Sequence, residues 1–115
     1  MTVTITKAYF MVPVDDMDRA MGFYRNVLGL TPQFSSPEWS ELAWRDATVA
    51  LHRGGDRRPE SWLGFQVEDL EATLSAMEAA GGRRVRESNE GGMRLVSITD
   101  TEGNVLTIGG RPAWS

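Results

Sequence analysis

The chain has 115 residues, 12 Lys and Arg against 16 Asp and Glu, a formal net charge of −4, and no cysteine. That length suits one domain, and the lack of cysteine excludes disulfides, thiolate metal sites and a cysteine nucleophile. The acidic balance argues against nucleic-acid binding, which needs a basic face.

Residues 3–12, VTITKAYFMV, are rich in β-branched and aromatic side chains and read as a first strand. Asp16 is a good helix N-cap, and Met17 to Leu28 follow as a helix. Within it Ala20, Phe23, Tyr24, Val27 and Leu28 fall on one apolar face. Gly29 ends the helix, where a left-handed residue costs least as glycine. SELAWRD (40–46) and TVALHRG (48–54) then read as two strands joined by a turn near Asp46. Asp15, Asp16 and Asp18 crowd a helix start, where acids favour the dipole.

The second half repeats this order. SWLGFQV (61–67) reads as a strand and Asp69 as a cap. Leu70, Leu74 and Met77 mark a helix face that Gly81 and Gly82 terminate. RRVRES, GMRLVSITD and NVLTIGG follow as strands, with turns at NEGG and DTEGN. Asp100 and Glu102 lie in the last turn, where side-chain-to-backbone bonds account for them. Aligning Val14 with Val67 also aligns Asp16 with Asp69, Met17 with Leu70 and Asp18 with Glu71. The chain therefore reads as two βαβββ modules, 1–58 and 59–115, in an α+β fold.

VPVDDMDRAMGFYRNVLGL (12–30) closely resembles the first-module signature of the vicinal oxygen chelate superfamily, carried by Val14, Asp16, Phe23, Tyr24, Leu28 and Gly29. Asp100, Gly103 and the strand Val105 to Ile108 match the second-module signature. Glyoxalase I, extradiol dioxygenases, fosfomycin-resistance enzymes and bleomycin-binding proteins belong to that superfamily. The resemblance implies two modules whose curved sheets enclose a cleft, with chains usually paired as homodimers. It says little about chemistry, because one fold carries many activities.

The resemblance also implies four strand positions that hold a divalent ion in the metal-dependent members. Carried over one by one, they are Tyr9, Ala50, Trp62 and Thr107. None is a good His or carboxylate donor, so no metal or other cofactor is expected. One escape is a register error of two, which would put His52, the only histidine, at the Ala50 position. His52 would then need carboxylates such as Glu41, Glu60 or Glu68.

Two of the four positions are aromatic, and four tryptophans stand at 39, 44, 62 and 114. Tryptophan faces stack on planar ligands and hold cations, though each is equally at home in a core or an interface. The expected ligand-binding residues are Tyr9, Trp39, Trp44, Ala50, His52, Trp62 and Thr107. The expected function is sequestration of a planar or cationic small molecule, as by the bleomycin-type resistance proteins. The alternative is an enzyme of the lyase or isomerase type, with His52, Tyr9 or Glu41 as acid–base groups. The N-terminus does not read as a signal peptide and no apolar run is long enough to span a bilayer, so a cytoplasmic protein away from membranes is expected.

Overall fold

A computed structural model of the chain describes residues 2, 4–56, 61 and 63–111. Both helices start on the same local device. Asp16 sits in extended backbone and its carboxylate accepts the Arg19 amide at 3.0 Å. Asp69 does the same for the Ala72 amide, also at 3.0 Å. Each cap satisfies an amide that has no partner inside its helix. The first helix, α1 (Met17–Gly22), continues as a π-helical segment over Phe23–Val27, closed by the Leu28 amide bonding the Phe23 carbonyl at 3.3 Å. Gly29 then leaves the helix with φ +75°. The second helix, α2 (Leu70–Ala79), buries Leu70, Leu74 and Met77, as the spacing predicts.

The first sheet comprises β1 (Phe10–Val14), β2 (Thr31–Phe34), β3 (Trp39–Trp44) and β4 (Ala47–Arg53), in the order β1-β4-β3-β2. The second comprises β5 (Gly64–Gln66), β6 (Arg84–Glu90), β7 (Met93–Thr99) and β8 (Val105–Gly110), in the order β5-β8-β7-β6. In each, the first strand pairs parallel and the remaining pairs are antiparallel. The architecture is α+β and matches the expected pair of βαβββ units.

Three details differ from the sequence reading. The first strand is Phe10–Val14, not 3–12, because pairing with β4 begins at Phe10 opposite Val49 and ends at Val14 opposite Arg53. β-branched residues at the start of the chain favour extended backbone, but a strand forms only where a neighbour offers a ladder. β5 spans only Gly64–Gln66 of SWLGFQV, although the Ser61 amide bonds the Val105 carbonyl at 3.2 Å and the Val67 amide bonds the Gly109 carbonyl at 2.8 Å. β2 was not marked in the sequence: all four of its residues are exposed and it contains Pro32, so it shows no alternation. Proline is tolerated there because β2 is an edge strand.

One apolar cluster unites the halves. Val12, Val14, Leu42, Val49 and Leu51 from the first sheet join Ala20, Phe23 and Tyr24. Val96, Ile98, Leu106 and Ile108 of the second sheet join Leu70, Leu74 and Met77 in the same cluster. A buried polar staple runs beside it. The Tyr24 hydroxyl donates to Asp100 at 2.7 Å. The Asn104 side-chain amide donates to the Pro13 carbonyl at 2.8 Å and to Asp100 at 3.0 Å. Glu102 accepts the Asp15 and Asp16 amides at 2.8 and 3.0 Å and the Arg19 guanidinium at 2.7 Å.

Candidate functional site

Side chains of a strand alternate between faces. Val12, Leu42, Val49 and Leu51 point into the core, so Met11, Trp39, Glu41, Ala50 and His52 belong to the opposite face. The register places Met11 and Glu41 on either side of Ala50, and Trp39 directly across from His52. Tyr9, two residues before Met11, extends the same row. Its ring centroid lies 5.5 Å from that of Trp39 at an interplanar angle of 71°. Trp39 in turn meets the His52 ring edge-on at 6.0 Å and 66°. Tyr9 remains 49% exposed, so the row opens to solvent.

Glu41 supplies the charge of this face. Its Oε2 accepts the Trp39 indole N–H at 2.8 Å, and its Oε1 accepts the Lys7 ammonium at 2.5 Å. The bonds from Lys7 and then Trp39 hold the Glu41 carboxyl below its ordinary value, despite the opposing effect of burial. Lys7 is the member of this group that sequence reasoning missed. It lies 34 residues from Glu41, and nothing in its local context marks it.

The other expected residues fall elsewhere. Thr107 lies on β8 of the second sheet, across from Ser97 and beside Gly64. Trp44 does not join Tyr9 and Trp39, because its position on β3 has the parity of Ser40 and Leu42, which are buried. With Phe10, Leu28, Val49 and Phe65 it lines a separate apolar groove of about 530 Å³, and the Arg45 guanidinium lies 4.7 Å above its ring. Trp44 and the Tyr9–Trp39 pair therefore lie on opposite faces of the first sheet. Trp62, Glu60 and Trp114 lie outside the described residues. Glu68 lines the Trp44 groove, away from His52.

The profile of the Glyoxalase/Bleomycin resistance protein/Dioxygenase superfamily matches residues 7–108. The chain belongs to this superfamily. Solved structures agree with that assignment at the level of fold. An antibiotic-binding protein, TnmS3, from Streptomyces sp. CB03234 superposes with a TM-score of 0.71 at 21% identity, covering 97% of this chain and 100% of its own. The bleomycin-binding protein of Streptomyces verticillus, complexed with copper(II)-bleomycin, gives 0.67 at 15% identity over 93% of this chain and 97% of its own. The fosfomycin resistance protein FosX of Listeria monocytogenes, complexed with manganese(II) and sulfate, gives 0.76 at 14% identity over 96% and 94%. Comparison with curated protein sequences yields no match.

Three of the four positions that the resemblance assigns to a chelated ion lie among the described residues. Ala50 has no donor atom, and Thr107 offers a neutral hydroxyl. Tyr9 is a phenol in contact with an indole ring. Among the described residues no three His, Cys, Asp or Glu side chains gather closely enough to hold a metal ion. His52 is flanked by Trp39 rather than by a second ligand.

Proposed function

We propose that this protein binds a planar small molecule on the open face of its first sheet, without a chelated metal ion. The observation that carries the reading is the Tyr9–Trp39–His52 row, three rings in edge-to-face succession on a face that the core leaves open. Aromatic walls with a few fixed polar groups bind flat ligands by stacking and orient them by hydrogen bonds. The antibiotic-binding and bleomycin-binding proteins of the same fold support this choice. Thr107 and Trp62 remain proposed contacts, since the superfamily resemblance assigns them to the cleft, whereas Ala50 is fully buried beneath this face. We also propose a homodimer, in which a second chain closes the open face.

Catalysis is the second reading, favoured by the arrival of Glu41 and His52 on one face beside Tyr9. The lowered carboxyl of Glu41 weighs against it. A general base works best with a pKa near the operating pH, and an ion-paired carboxylate is a poor proton acceptor.

Thermal denaturation against a panel of planar antibiotics tests binding. A true ligand raises the melting temperature in proportion to the logarithm of its excess over Kd. Replacing Trp39 with leucine should weaken such a ligand by about tenfold or more, on the scale of one lost stacking contact. No shift with any planar compound at millimolar concentration would sink the proposal.

A further inference from the structure

Glu41 and Lys7 raise a question that the binding proposal leaves open. The carboxylate is largely covered, with its side chain 14% exposed, whereas the Lys7 side chain is 54% exposed. Lys7 lies in residues 4–9, which carry no strand pairing, so its stem is not locked by a ladder. Glu41, by contrast, is fixed in β3 and held through Oε2 by the Trp39 indole. The same indole meets the rings of Tyr9 and His52 edge-on. A rigid anion is thus set into a wall of rings, and the cation that neutralises it sits on a loosely held arm.

We infer that Glu41 is the recognition point for an ammonium group on the planar ligand, and that Lys7 fills this position in the free protein. The assignment rests on the binding proposal above and names the ligand's chemical class: an arylalkylamine, protonated at neutral pH. Three physical facts support it. A ligand ammonium here would meet a carboxylate that the Trp39 indole N–H already holds in place, a charge-assisted contact. An exposed lysine pair contributes little, because the flexible side chain loses entropy and the charges are screened, so exchanging Lys7 for a ligand ammonium costs little. A neutral or anionic ligand has no charge with which to replace Lys7, and would bind beside the intact pair. Lys7 therefore competes with a ligand cation alone. The chain's net charge of −4 favours the approach of such a ligand.

A matched pair of probes tests this: 2-naphthylmethylammonium and the uncharged 2-naphthylmethanol, titrated calorimetrically into the wild-type chain, Lys7→Met and Glu41→Gln. Both substitutions leave the core untouched, and each variant's melting curve checks its folding. The ammonium probe should bind wild type about tenfold tighter than the alcohol, the scale of one charge-assisted contact. Lys7→Met should tighten the ammonium probe by roughly threefold to tenfold and leave the alcohol within about twofold, since only an ion-pair competitor is removed. Glu41→Gln should abolish the difference between the probes. Weaker ammonium binding in Lys7→Met, or a preference that survives Glu41→Gln, would overturn the inference while the binding proposal stands. Failure of both probes to bind wild type would remove the binding proposal itself.

Discussion

Glu102 is a carboxylate that the sequence places in a turn and the structure places at a junction. Its burial would raise its pKa, but the Arg19 guanidinium, the Asp16 and Asp15 amides and the Thr101 hydroxyl prevail and hold it at about 2, against an ordinary value of 4.5. A carboxyl whose folded pKa is depressed stabilises the fold above its unfolded pKa, and that contribution is lost as the pH falls toward the folded value. Acid should therefore weaken the protein progressively between roughly pH 5 and pH 2, with Glu102 contributing on the order of 3 kcal/mol. Glu71 and Glu87 are also lowered, by Arg94 first in each case, so the wild-type profile alone does not isolate Glu102. Urea denaturation of wild type and Glu102→Gln at pH 7 and pH 3 separates them. The variant should be the less stable at pH 7, and the gap should narrow in acid. Tyr24 belongs to the same network: burial first, then the Asp100 charge and hydrogen bond, push its phenol well above 10, so it stays a proton donor. Its apolar helical position was legible in the sequence. Its hydrogen-bonding partner, 76 residues away, was not.

Among elements, the caps and stops were the most legible, because they are local chemistry. Asp16, Asp69 and Gly29 behave as their residue types demand. The π-helical segment was not legible. One extra residue in a turn changes the apolar spacing too little to see, and Phe23 and Tyr24 are both buried as ordinary helical spacing already predicts. Gly82 is a second case. In the sequence it looked like half of a glycine stop, but its constraint is spatial. A Cβ built there would meet the Thr99 carbonyl oxygen at 2.5 Å and the Met77 carbonyl oxygen at 2.9 Å. Both are backbone atoms, so neither can swing away. Gly82→Ala should cost at least about 1–3 kcal/mol, in the range of overpacked sites, and thermal denaturation measures it. A wild-type melting temperature in the variant would show that the α2–β6 connection relaxes freely.

For the whole molecule the telling feature is what stays uncovered. Phe10 and Trp44 line the groove at 51 and 56% exposure, and Met11 and Tyr9 on the other face are 43 and 49% exposed. Exposed apolar side chains gathered in patches mark binding or association. The proposed homodimer would cover part of them. Light scattering on a sizing column should give the mass of two chains at micromolar concentration, and a monomer at about 100 µM would refute the pairing. No helix among the described residues is long and apolar enough to cross a membrane.

The sequence by itself determined the doubled order of strand, capped helix and following strands, the helix caps, the apolar faces of α1 and α2, and the superfamily, but not β2. All of these are written in residue types at short, fixed spacings. It also determined what stands at the expected chelating positions, because identity at a position needs no geometry. Only the tertiary structure decided which aromatic residues share a face, separating Trp44 from Tyr9, Trp39 and His52. Strand parity turns on register, and a shift of one residue reverses it. Only the tertiary structure joined Lys7 to Glu41 and Glu102 to Arg19. Contacts between residues 34 and 83 positions apart arise from how the sheets and helices pack, and no local pattern encodes them.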